Sequence, residues 1–157
     1  YIRKSVQAFN LPSIELLNYE ADDLIATYAK QITNSGAKVT VISSDKDLMQ
    51  LVSDKIRLYD PMKSKVIGEK EVLEKFGVKP SQVIDVQSLA GDSSDNIPGV
   101  PGIGVKTAAE LINQYGNLEN LLQKRKFFTL KAKLHIQILF ITFHLFLIWH
   151  KMCLLHY

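Results

Sequence analysis

Seven acids fall into three tight groups in this sequence: Glu20, Asp22 and Asp23 in "YEADD", Asp45 and Asp47 in "SSDKDL", and Asp92 and Asp95 in "GDSSDN". Carboxylates gathered without cations repel one another, each pair at about 4 Å costing on the order of 4 kcal/mol at an effective dielectric of 20. A bound metal ion makes such a cluster tolerable. An all-oxygen ligand set, with no His or Cys beside it, suits a hard cation such as Mg²⁺ or Mn²⁺ rather than zinc. Taken singly, Glu20, Asp22 and Asp23 read as caps or dipole partners at a helix start, and Asp45 reads as an N-cap. Their number and type are what favour metal.

The third acidic group runs straight into a second feature, "IPGVPGIGVKTA". It is not a dinucleotide fingerprint, because no strand is expected to lead into it and its glycine spacing differs. Gly102, Ile103 and Gly104 place an apolar residue between two positions free to adopt positive φ. Successive backbone N–H groups can then approach an anion, with the next helix N-terminus behind them. Lys106 adds a positive charge toward the same phosphate. Contacts to backbone phosphate without contacts to bases predict binding without sequence preference. A plain surface loop is the competing reading of a glycine-rich string.

The elements that must position these groups alternate in type. "YEADDLIATYAKQITNSG" has acids at its start, Leu24, Ile25, Tyr28, Ala29 and Ile32 at helical spacing, and Gly36 at its end, which predicts a helix. "AKVTVISS" is short and β-branched with poor alternation, which predicts a strand buried on both faces. A short helix in "DKDLMQLVSD", a strand in "KIRLYD" and helices in "EKEVLEKFGV" and "SQVIDVQSLAG" follow. Strand and helix taking turns imply an α/β domain around a mostly parallel sheet. Asp45 and Asp47 then lie just beyond the carboxyl end of a strand, where such sheets build their sites. The spacing of Glu20 to Asp23 and of Asp92 to Asp95 would put each pair on one side of a helical turn.

Composition bounds the rest. A chain of 157 residues that is 46% apolar and 22% charged is sized for a globular domain with a real core. The single Cys153 cannot form an internal bridge, and no Cys and His spacing resembles a zinc site, which points to a reducing compartment. The net charge of +3 hides an asymmetry, since residues 1–123 carry all 16 Asp and Glu against 13 Lys and Arg. Residues 124–157 hold the other 6 Lys and Arg and no acid, together with all four His, the one Trp and the one Cys. This tail includes "LHIQILFITFHLFLIW", shorter than the roughly 20 apolar residues that cross a bilayer. Its loss of every Gly, Pro, Asp and Glu reads as translation out of frame. The start "YIRKSVQAFNL" has neither an initiator Met nor a secretory signal, so the chain reads as part of something longer.

"YEADD", "SSDKDLMQLV" and "GDSSDNIPGVPGIGVKTA", in this order, resemble the 5′ nuclease domain of bacterial DNA polymerase I, a relative of flap endonucleases. The resemblance covers residues 1–123. It implies a partial PIN-like nuclease core over residues 1–90 and a helix-hairpin-helix DNA-binding region over residues 91–123, with residues 124–157 as an aberrant tail. It further implies hydrolysis of DNA phosphodiesters from 5′ ends and at flaps by a two-metal mechanism. Glu20, Asp22, Asp23, Asp45, Asp47, Asp92 and Asp95 fall on the family's carboxylate cluster for two divalent cations. Asp45 and Asp47 are expected as direct ligands, with Glu20, Asp22 and Asp95 beside them and Asp23 and Asp92 acting through bound water. Gly99, Gly102, Ile103, Gly104, Lys106 and Thr107 fall on the hairpin that grips duplex DNA, where the family commonly holds K⁺. The resemblance places the chain in the cytoplasm, with a polymerase domain fused to it in the parent protein. The family's first metal-binding Asp residues and its helical arch find no counterpart in this sequence, so weak or absent activity is expected of it alone. A non-catalytic binder of branched DNA and a membrane-associated fragment are the alternatives.

Overall fold

The computed structural model of the protein describes residues 1–124. The tail expected to be out of frame, residues 124–157, therefore lies outside the described residues apart from Lys124. Helices α1 (Ile2–Ala8) and α2 (Ala21–Asn34) lead into strand β1 (Val39–Ile42), and a 3₁₀ helix (Asp47–Leu51) connects β1 to β2 (Ile56–Asp60). Strand β3 (Lys65–Ile67) and helix α3 (Glu69–Phe76) follow, then a 3₁₀ turn (Pro80–Gln82) that passes directly into α4 (Val83–Ala90). A short hairpin, β4 (Gly91–Asp92) and β5 (Ile97–Pro98), precedes α5 (Val105–Tyr115) and α6 (Leu118–Gln123). Among the described residues no helix is long and apolar enough to cross a membrane.

The larger sheet has the order β1-β2-β3. Strands β1 and β2 are parallel, with Val39 opposite Ile56 and Ile42 opposite Tyr59. Strand β3, which the strand signals did not reveal, runs antiparallel to β2 with Leu58 opposite Ile67. The turn between them is organised by Asp60, only 1% exposed. Its carboxylate accepts from the backbone N–H groups of Met62 and Lys63 at 3.0 and 3.3 Å and pairs with the Lys63 ammonium at 3.3 Å.

Two expectations are corrected here. Strand β1 is not buried on both faces: Val41 is buried, whereas Thr40 is exposed and Ile42 is 69% exposed. β-Branched residues favour extended backbone whichever way they point, so their run reports the strand and not its burial. In α2 the buried positions are Asp23, Ala26 and Ala29, while Tyr28 and Ile32 stay exposed. Finally, Asp92 and Asp95 do not share a helical turn. Asp92 sits in β4, paired with Ile97 of β5, and Asp95 lies in the turn between the strands.

That hairpin depends on two glycines. Gly91 has φ +74, and a Cβ built there would strike the backbone of Gly99. One built on Gly99 would strike the backbone of Ala90 in turn. The chains cross so closely that no side chain fits on either side. Behind the hairpin, Val83, Val86 and Leu89 of α4, Ala108 and Ile112 of α5, and Leu118 and Leu121 of α6 are all fully buried. This helical unit joins the α/β core through the same apolar cluster, which includes Leu58, Val72 and Val78.

Asp85, in the first turn of α4, supplies a pH-dependent strain within this unit. Burial pushes its carboxyl up to about 6, opposed by the Leu118 N–H and assisted by the nearby Glu119 carboxylate. A carboxyl raised in the folded state holds protons that the unfolded chain has lost, so its contribution falls as pH climbs from about 4 to about 6. Because the group is partly exposed, screening reduces the cost to about 1 to 2 kcal/mol. Asp85→Asn is expected to raise the urea midpoint at pH 7 and leave it unchanged at pH 3.5. An equal effect at both pH values would contradict this assignment.

Candidate active site

Strand β1 ends at Ile42, and the ladder continues one bond further as the Ser43 N–H donates to the Tyr59 carbonyl at 3.0 Å. The loop then turns on side chains. Ser44 Oγ donates to Asp60 Oδ1 at 2.7 Å, tying the loop to the β2–β3 turn. The Asp45 N–H donates to Ser43 Oγ at 3.0 Å, and Asp45 Oδ1 accepts from the Asp47 N–H at 2.9 Å. Asp45 thus closes a local turn one residue before Lys46, which holds the N-cap position of the 3₁₀ helix in place of the N-cap expected of Asp45, and the Asp45 side chain remains exposed.

Asp47 points the other way, toward the β4–β5 hairpin. Oxygens of Asp47, Asp92 and Asp95 lie within 4.8 Å of one another, the one such grouping of His, Cys, Asp or Glu among the described residues. Asp92 is 4% exposed, Asp47 is half-buried and Asp95 is exposed, so the group opens to solvent on one side. Burial, followed by the Asp45 and Asp92 charges, holds the Asp47 carboxyl above its usual range against the opposing Gln87 hydrogen bond. Asp92 behaves oppositely: burial alone would raise it, but Lys46 and the Ser94 N–H together hold it low. Lys46 Nζ donates to Asp92 Oδ1 at 2.5 Å and to Ser94 Oγ at 2.9 Å.

The acids of α2 border this group without joining it. Burial first, then the charges of Asp45, Asp47, Glu20 and Asp23, raise the Asp22 carboxyl. Asp22 thus shares one negative field with the loop acids. Asp23, by contrast, accepts the Glu20 N–H at 3.0 Å and caps the helix. This is the structural role that residue type and position at a helix start predict. Lys46, Gln87 and Ser94 were not singled out by the sequence reading. Only Lys46 carried a signal, its place between two acids of one motif.

The glycine-rich loop lies immediately after the hairpin. Gly102 has φ +81, but Gly104 has φ −90 and ψ 178, so only one of the pair uses the left-handed region. A Cβ at either would meet nothing within 4 Å, which leaves open space before the N-terminus of α5. Ile103 is partly buried against the apolar core and anchors the loop, and Lys106 and Thr107 are exposed in the first turn of α5. Gly99, expected at the DNA, is occupied by its contact with Ala90.

An α/β core and a small helical unit bring three carboxylates together, an arrangement suited to a hard cation. Residues 1–77 match the family described as 5′-3′ exonuclease, N-terminal resolvase-like domain, and residues 78–140 match 5′-3′ exonuclease, C-terminal SAM fold. The chain belongs to the 5′-3′ exonuclease family, as its three acidic motifs imply. It is 58% identical over 123 residues to DNA polymerase I of Rhizobium leguminosarum, covering 78% of this chain and 12% of the polymerase. It is 42% identical over 122 residues to the 5′-3′ exonuclease of Aquifex aeolicus, covering 78% of this chain and 42% of the relative. The fold matches the bacteriophage T5 flap endonuclease in a pseudo-enzyme-product complex with DNA and metal ions. The TM-score is 0.72 at 26% identity over 92% of this chain and 53% of that one. The chain thus spans less than half the length of these two curated relatives.

Proposed function

We propose that this chain carries the metal-binding and duplex-gripping parts of a 5′ nuclease that hydrolyses DNA phosphodiesters at 5′ ends and flaps. The observation that carries the reading is the convergence of Asp47, Asp92 and Asp95 within 4.8 Å, beside the loop that opens α5. Three carboxylates with one lysine among them keep excess negative charge, and their donor set is all oxygen. That combination fits Mg²⁺ or Mn²⁺. Asp47, Asp92 and Asp95 would hold divalent cations, with Asp45, Asp22 and Glu20 at the edge of the same field. When bound, two such cations supply a hydroxide nucleophile and stabilise the attacking and leaving oxygens.

The chain's own residues do the rest. Ser44 and Asp60 fix the loop that presents Asp47, and Lys46, paired with Asp92, offsets part of the cluster's negative charge. Gly102, Gly104, Lys106 and Thr107 receive the DNA backbone at the α5 N-terminus, where open N–H groups and the helix dipole favour an anion. K⁺ at the hairpin belongs to the same reading and rests on the family resemblance. So does a parent in which the nuclease precedes a polymerase working on the cell's DNA in the cytoplasm.

Fluorescence anisotropy with duplex and flap DNA tests the binding half. Lys106→Ala is expected to weaken binding evenly across sequences and to lower the salt slope by about 1. An unchanged slope would remove Lys106 from the interface. A 5′-labelled flap tests the chemical half: short 5′ products in Mn²⁺, and none in EDTA, are expected. Tight binding with no cleavage at any metal concentration would favour the non-catalytic binder instead.

A further inference from the structure

We infer that Gln87 is a positioning residue of the metal centre, holding Asp47 and Asp92 at the separation that a cation requires. The inference rests on the metal-centre reading above and assigns a role to a residue that none of the three acidic motifs contains. Gln87 Nε2 donates to Asp47 Oδ1 at 2.6 Å and faces Asp92 Oδ2 at 3.5 Å. Gln87 is 5% exposed, so its amide lies away from water while the Asp47 carboxylate it meets is half-buried. A buried primary amide must satisfy its donors, and the two carboxylates face it from separate elements. Asp47 arrives on the 3₁₀ helix after β1, and Asp92 arrives on β4. Helix α4, which carries Gln87, packs against both of these elements.

The orientation of the amide follows from charge. With Oε1 turned inward, three acceptor oxygens would meet without a proton among them. With Nε2 inward, two carboxylates share one neutral donor, and their mutual repulsion is eased without adding a cation that would compete with metal. Lys46 already pairs with the opposite oxygen of Asp92. Gln87 therefore fixes the remaining Asp92 oxygen relative to Asp47, leaving the solvent side, where Asp95 lies, open for the ion. Partners of this kind behind metal ligands tune affinity by about 10- to 100-fold.

Isothermal titration of the full chain with Mn²⁺ tests this, using Gln87→Met, which keeps length and volume but removes the donor. Its Mn²⁺ Kd is expected to rise about tenfold. Val86→Ala, on the same helix and facing the apolar core, serves as the control. It should lower the melting temperature and leave the Kd unchanged. A wild-type Kd in Gln87→Met, or an equal loss in Val86→Ala, would overturn the positioning role while the metal centre stands. Absence of Mn²⁺ binding in the wild-type chain would overturn both readings together.

Discussion

Asp47→Ala combined with Asp92→Ala is expected to erase all Mn²⁺-dependent stabilisation, about 2.7 kcal/mol when free metal stands at 100 times its Kd. The size follows from mass action, since an ion that binds only the folded chain shifts its equilibrium. The location follows from geometry, because these two carboxylates come from distant segments and meet only after folding. Single variants separate their metal-free roles. Asp47 is raised by burial and by its acidic neighbours, so at neutral pH its charge costs stability, and Asp47→Asn should stabilise the metal-free chain. Asp92 is held low by Lys46, so its contribution is present at neutral pH and is lost as pH falls through its folded value. Asp92→Asn should therefore destabilise the metal-free chain. Thermal melts with and without Mn²⁺ check all three, and a retained metal shift in the double variant would move the site elsewhere.

Gly91→Ala should cost at least about 3 kcal/mol. Its backbone, at φ 74 and ψ −178, occupies a region essentially reserved for glycine. A methyl group would also strike the Gly99 backbone, which cannot move without opening the hairpin that carries Asp92. Gly36→Ala provides the comparison, because Gly36 has φ +93 with nothing within 4 Å of a built Cβ. Only conformational strain acts there, about 1 to 2 kcal/mol. Urea denaturation distinguishes them. Equal losses would show that the close approach of Gly91 and Gly99 contributes nothing.

The readable parts of this protein are those specified locally. Acids opening α2, a β-branched run for β1 and the Asp45–Asp47 pair beyond its end all follow from neighbours within a few residues. The expectation for the candidate site rests on a parallel strand delivering its following loop to one edge of the sheet. Contacts set by distant segments stayed hidden. Gln87 meets Asp47 across 40 positions and Lys46 meets Asp92 across 46, with no periodicity to announce either. The β4–β5 hairpin was hidden differently. It is two residues long on each side, and its glycines read equally well as loop flexibility or close approach. The exposed face of β1 was misjudged because branched side chains report backbone preference and not what covers them.

The most direct measurement is a crystal of the full chain soaked in Mn²⁺, with anomalous scattering recorded to locate the ion. The account predicts a peak within bonding distance of Asp47, Asp92 and Asp95 oxygens, with Gln87 Nε2 still on Asp47. Peaks confined to other acids, with Lys46 and Asp92 paired and no ion between the three carboxylates, would contradict it.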